Sequence, residues 1–227
     1  MPPTHIRAIL ATALAAIVLS ACRNAATGGV PRAFEPASKA HSDSAAIAKA
    51  RADSARYPYT AADVRFMSVM IGHHAQAIAM ARLAPTHGAS ASIRRLAERI
   101  INAQEDETAA MRQWLRDRQQ PVPQVLALNG HAMNGAEHVM PMPGMLTGAQ
   151  WIQLDQATGA TFDRLLLTFM IQHHRGALAM VKTLFSADGA AQDATVFKFA
   201  SDVNVDQTTE IARMERMLVG LVAEGAP

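Results

Sequence analysis

The sequence predicts an all-α protein, a four-helix bundle of two tandem helical hairpins joined by a long Met/His-rich crossover. Three observations carry this. Half of the 227 residues are hydrophobic, yet only seven Phe, two Trp and two Tyr are present; a core of Ala, Leu and Met favours helices, because unbranched side chains lose little rotamer freedom there. The stretch "VMIGHHAQAIAM" at 69–80 returns as "FMIQHHRGALAM" at 169–180. A second block returns as well, pairing Gln104 with Gln207, Glu107 with Glu210, Met111 with Met214 and Leu115 with Leu218. The repeated unit is therefore a pair of helices, and two hairpins that each bury one apolar stripe pack as a bundle.

Taken in order, residues 1–21 read as a lipoprotein signal peptide: His5 and Arg7, then the apolar run "AILATALAAIVLSA", too short to span a bilayer. The run ends in "LSAC", and Cys22 is the single cysteine of the chain, the pattern of a bacterial lipobox with cleavage before Cys22 and lipidation of its sulfur. An ordinary small-residue cleavage site is the plainer alternative, and export follows from both. Residues 22–58 are rich in Ala, Ser, Arg, Lys and Pro; their composition allows a polar helix in part but no buried face, so they read as a flexible tether. The bundle occupies 59–222, with hairpins over about 60–118 and 147–222 and the crossover over 119–146. "APTHGAS" and "SADGAAQD" turn the two hairpins. "TGAQWIQLDQATG" forms a short helix with Thr147 near its N-cap.

The histidines point inward. At about 100° per residue, Phe66, Met67, Met70, His73, His74, Ala77 and Met80 share one helical face, and the second copy behaves alike. Adjacent histidines diverge by about 100°, which lets one of each pair lean to the rim. Hairpins folded near residues 88 and 190 bring Gln104, Glu107, Gln207 and Glu210 to the level of the histidines, within about one helical turn. Asp63 and Asp163 lie too far along their helices to join the histidines and suit a helix-end role. A layer of methionine, histidine, glutamate and glutamine inside a bundle is polar beyond any packing need, and burying it unpaired costs kilocalories for each group.

Two readings of the HH pairs stand side by side: a metal site, or a structural network of Gln, Glu and His. Repetition in register, with methionine three residues ahead, favours metal, with Met70, His73, His74, Met170, His173 and His174 as ligands. Gln104, Glu107, Gln207, Glu210, Met111 and Met214 stand as orienting partners or extra ligands, although methionines at helical spacing, Met67, Met80 and Met217 among them, commonly just fill a core. Thioether is soft and suits Cu(I), while imidazole suits copper, zinc, nickel and iron. A mature chain without other thiols makes copper, as Cu(I) or Cu(II), the expected ion. His131, Met133, His138, Met140, Met142 and Met145 add a candidate loop site in the crossover.

The rivals are weaker. A di-iron or di-manganese oxidoreductase needs Glu-x-x-His on two helices, and neither bundle helix pair has one. No C-x-x-C-H exists for covalent haem, and no nucleophile–base grouping suggests hydrolysis. A net charge of +2 without a basic run speaks against nucleic acid. A metal-free envelope scaffold for a protein partner remains the third class.

The stretches "FMSVMIGHHAQAIAMA" and "FDRLLLTFMIQHHRGALAMV", each followed by a helix of the form Q-x-x-E-x-x-x-M, together with "PMPGMLTGAQWIQLDQATGATFDRLLL", resemble the bacterial domain of unknown function 305. The resemblance spans about residues 60–222 and implies a ferritin-like four-helix fold. Exported His/Met-rich members are associated with copper binding and tolerance. By that resemblance the matching positions Met70, His73, His74, Met170, His173 and His174 bind copper for sequestration, storage or handover. A lipid-anchored place in the envelope facing the periplasm, no required catalysis, and an envelope copper-handling protein as partner complete the expectation.

Overall fold

The computed structural model describes residues 37–56, 58–124 and 142–224. Among these, all regular structure is helical: α1 (Ala37–Arg56), α2 (Ala61–Ala81), α3 (Ala91–Asp117), α4 (Gly148–Asp155), α5 (Gly159–Phe185) and α6 (Ala194–Glu224). Helices α2 and α3 form one hairpin, α5 and α6 the other, and the two hairpins meet chiefly through α2 and α5. The expected short helix is α4. Its N-cap Thr147 forms a capping box with Gln150, the hydroxyl accepting the Gln150 N–H and the Gln150 side chain accepting the Thr147 N–H.

The tether reading needs correction over its second half. Residues 37–56 are the helix α1, which packs on α3, buries Ala50 and sends Arg51 Nη2 to Gln119 Oε1 at 2.9 Å. Alanine-rich sequence with a Lys49–Asp53 pair one turn apart favours such a helix. The signal segment, Cys22 and the rest of the tether lie outside the described residues, as do His131, Met133, His138 and Met140.

Aspartates fasten the hairpins together. Asp63 completes a capping box with Thr60 at the start of α2, and its second oxygen accepts the Ala191 N–H at 2.7 Å, just before α6. Asp163 of α5 accepts the Ser90 N–H at 3.2 Å, at the start of α3. The first helix of each hairpin thus holds the turn of the other. Asp193 caps α6 through the Thr195 and Val196 N–H groups and pairs with the Arg118 guanidinium, which lies over the Trp114 ring.

The core divides in two. One apolar cluster gathers Ala77–Ala84, Ile93–Ile100, Phe162–Ile171, Ile211 and Met214; the other gathers Phe66–Ile71, Met111–Leu115, Ala177–Leu184 and Val196–Val203. On all four bundle helices the residues between these segments are the polar ones: His73 and His74, Gln104 and Glu107, His173 and His174, Gln207 and Glu210. The polar layer lies at mid-height of the bundle.

Candidate metal centre

All four paired histidines are buried, each at most 1% exposed. The expected lean of one member toward the rim does not occur, because α2 and α5 face each other and cover both flanks of each pair. His73 and His173 meet across that contact with ring centroids 3.8 Å apart and planes tilted by 36°. His74 and His174 point toward their hairpin partners instead. His74 Nε2 lies 2.6 Å from Glu107 Oε2, and His174 Nε2 lies 2.7 Å from Glu210 Oε2. The carboxylates accept, so Nε2 carries a proton, and Nδ1 is the nitrogen left without a partner.

His73 is oriented differently. Its Nε2–H donates to the Pro143 carbonyl at 3.0 Å, which leaves Nδ1 as the lone-pair nitrogen. Five buried imidazole nitrogens have no hydrogen-bond partner: Nδ1 of His73, His74 and His174, and both nitrogens of His173. The buried Oε1 atoms of Gln104 and Gln207 also lack partners. Each such group costs about 1–3 kcal/mol when buried unmade, so the layer is costly as architecture alone.

Burial, first of all, and then the neighbouring His74 push the His73 imidazole down to about 3, against the opposing effect of the Pro143 carbonyl. His173 is held well below the usual histidine range, again mainly by burial and then by His73. Both rings are neutral near pH 7, with lone pairs free of proton competition. Outside the dyads, Asp206 has its carboxyl raised, by burial first and then by the charges of Glu107, Asp202 and Glu210.

Methionines flank the layer from both sides. Met70 (0% exposed) belongs to one apolar cluster and Met170 (1%) to the other. Met67, Met80, Met111 and Met214 are also buried in these clusters, as core filling requires. Among the described residues no three His, Cys, Asp or Glu side chains gather closely enough to hold an ion, so an ion at this layer calls on sulfur beside the imidazoles. The donor set fits a soft ion: partnerless imidazole nitrogens, two of them on rings oriented by carboxylates, and thioethers above and below.

The family model of a domain of unknown function, DUF305, matches residues 63–218. The chain belongs to the DUF305 family. A DUF305 fragment from Deinococcus radiodurans is similar to it at 28% identity, over 71% of this chain and 97% of that one, with a TM-score of 0.58. A DUF305 protein of Streptomyces coelicolor described as secreted is similar at 27% identity, over 71% and 91% of the two chains, with a TM-score of 0.57. CopM in its Cu(I)-bound form is 26% identical over 70% of this chain and 96% of that one, with a TM-score of 0.52; its Cu(II)-bound form gives 27% and 0.52. No curated protein matches the chain.

Of the residues the sequence nominates in this DUF305 chain, the structure brings the four histidines, Glu107 and Glu210 into direct contact in the ways described, with Gln104 and Gln207 buried one turn away. Met142 and Met145 are half-buried. They belong to a short segment held against α2 and α5. Sequence reasoning missed that segment and its partners. Gln76 holds Leu146 by both backbone groups, accepting its N–H at 2.8 Å and donating to its carbonyl at 3.4 Å. Gln172 Nε2 donates to the carbonyls of Gly144 and Met145 at 3.3 and 3.4 Å. The available signal was the inequality inside the repeat: G-H-H-x-Q in one copy, Q-H-H-x-G in the other.

Proposed function

We propose that this protein is an exported copper-binding protein of the envelope, which holds copper at the mid-bundle histidine layer for sequestration, storage or handover. The observation that carries the reading is the set of buried, partnerless imidazole nitrogens between Met70 and Met170. His74 and His174 would present Nδ1 with Glu107 and Glu210 fixing their orientation; His73, His173, Met70 and Met170 would complete the donors. Bound there, copper would satisfy the orphan nitrogens and exchange electrons or ligands as its oxidation state allows.

The chain's own residues do the rest. Glu107 and Glu210 accept the Nε2 protons and raise the basicity of the opposite nitrogens. The two apolar clusters exclude water from above and below. Glu107 and Glu210 place carboxylates at the edge of the layer, with Asp206 nearby, an acidic margin that draws cations toward it. Support from relatives comes from CopM, whose structures include Cu(I)-, Cu(II)- and Ag-bound forms. The leader and Cys22 support lipid anchoring in the envelope, and the crossover's His131, Met133, His138, Met140, Met142 and Met145 suit a second, looser capture site.

Elemental analysis of the protein purified from its own envelope, without added metal, tests the reading. Titration with Cu(I), Cu(II) and Zn(II) of the wild type and a His74→Ala/His174→Ala variant follows. Copper at one equivalent or more, lost in the variant, is expected. Iron or manganese in the isolated protein, or copper affinity no tighter than about micromolar, would overturn it.

A further inference from the structure

The two copies of the HH motif are not used alike, and the difference lies in two positions. Gly72 and Gln76 flank the first pair; Gln172 and Gly176 stand at the matching places of the second. The segment Met142–Leu146 crosses both. Met142 lies against Gly72, its Cε 3.9 Å from where a β-carbon would stand. Pro143 and Gly144 lie directly on Gly176: a β-carbon there would come within 2.0 Å of the Pro143 carbonyl oxygen and 2.7 Å of the Gly144 Cα. Gly144 itself has φ +77°, and a β-carbon on it would stand 2.6 Å from the Gln172 carbonyl. The two glutamines grip the segment at Leu146 and at Gly144–Met145, and Gln172 is in turn held by Gln150 at 2.9 Å.

This strap delivers one backbone group to the histidine layer, the Pro143 carbonyl, and that group accepts from His73 Nε2. The strap offers no such carbonyl to His173, whose nitrogens both lack a hydrogen bond and whose nearest backbone influence is the carbonyl of His73 itself. A carbonyl can only accept, so its contact forces the Nε2–H tautomer on His73 and turns Nδ1 inward, as Glu107 and Glu210 do for His74 and His174.

We propose that the Met142–Leu146 strap is a positioning device for the metal centre: it sets His73 Nδ1 as a ligand atom while leaving His173 without a partner from the strap, and Gly176 is the residue whose missing side chain lets the strap reach His73. The inference rests on the metal reading above and deepens it. Gly176, Gln76 and Gln172 are positioning residues, since none of them offers a donor to the ion. An asymmetric centre follows from a symmetric motif.

The test is nitrogen-15 NMR of the histidine rings in the metal-free full chain, followed by Cu(I) titration. In the wild type His73 shows a protonated Nε2 whose proton exchanges slowly with solvent. Gly176→Ala and, without added bulk, Gln76→Leu speed that exchange at least about tenfold, leave the Nε2 protons of His74 and His174 in place, and weaken Cu(I) binding about 10- to 100-fold. Gly72→Ala, the same change at the matching position where a β-carbon meets only ordinary contact, leaves His73 and the affinity as they were. An Nδ1-protonated His73 in the wild type overturns the proposal, as does an unaltered His73 with normal Cu(I) affinity in both strap variants. A wild type without Cu(I) affinity overturns the metal reading and the ligand assignment with it, while the His73 signal still reports whether the strap holds the ring.

Discussion

His73 and His173 meet ring against ring, each at most 1% exposed, and their neutrality has a measurable consequence. Both have folded-state pKa values below that of an unfolded histidine, His73 at about 3. Above about pH 6.5 neither state binds the proton and the pair contributes nothing to pH dependence. Below it the unfolded chain takes up protons that the folded one refuses, so stability falls as acid is added, down toward pH 3 for His73. Each histidine contributes up to about 1.4 kcal/mol per pH unit in that window. Urea midpoints of the metal-free protein at about pH 7.5, 6 and 5 should therefore fall, most steeply in the last step. A flat profile over this range would show that the rings take up protons in the folded state.

The helices owe their arrangement to side chains at their ends as much as to their apolar faces. Asp63 does two jobs, capping α2 and holding the Ala191 N–H; Asp163 holds the Ser90 N–H from the other hairpin. Losing a cap costs about 1 kcal/mol, and leaving a buried backbone donor unmade costs about 1–3 kcal/mol. Asp63→Ala should accordingly destabilise by about 2–4 kcal/mol and Asp163→Ala by about 1–3 kcal/mol. Equal losses in denaturant unfolding would mean that the capping box adds nothing. The same helix-end logic bears on α1: among its described side chains Ala50 is buried, and Arg51 makes a polar contact to Gln119, the residue two beyond the end of α3.

At the scale of the whole molecule the bundle is two apolar cores separated by a polar floor. Such a floor lowers stability unless something satisfies it. Binding to the folded state alone adds about 2.7 kcal/mol at a free ligand concentration 100 times Kd. For a domain of this size that raises Tm by about 5–10 °C. Cu(I) should give this rise in a thermal melt, and the His74→Ala/His174→Ala variant should lose most of it. A rise of equal size in the variant would place the stabilising ion elsewhere, with the Met-rich crossover the first place to look.

The features legible in the sequence alone follow from short-range regularity. A helix repeats every 3.6 residues, so the apolar face, the inward histidines and the level of Gln104, Glu107, Gln207 and Glu210 all follow from spacing along two helices and one turn. The pairing of His74 with Glu107 and of His174 with Glu210 falls within the one turn that the hairpin geometry allowed. The rim expectation for one histidine of each pair failed because an isolated helix has a rim, but α2 packed against α5 does not.

The chain's local pattern was enough to specify a duplicated all-α hairpin with an inward layer of His, Met, Glu and Gln, because periodicity and composition act within a turn or two of each residue. Which nitrogen each imidazole leaves free was decided only in the folded molecule. His73 takes its orientation from a carbonyl 70 residues away, and that carbonyl arrives because Gly176, on a different helix, has no side chain to stop it. Contacts of that kind depend on how separate elements stack, and the spacing of residues within one element carries no record of them.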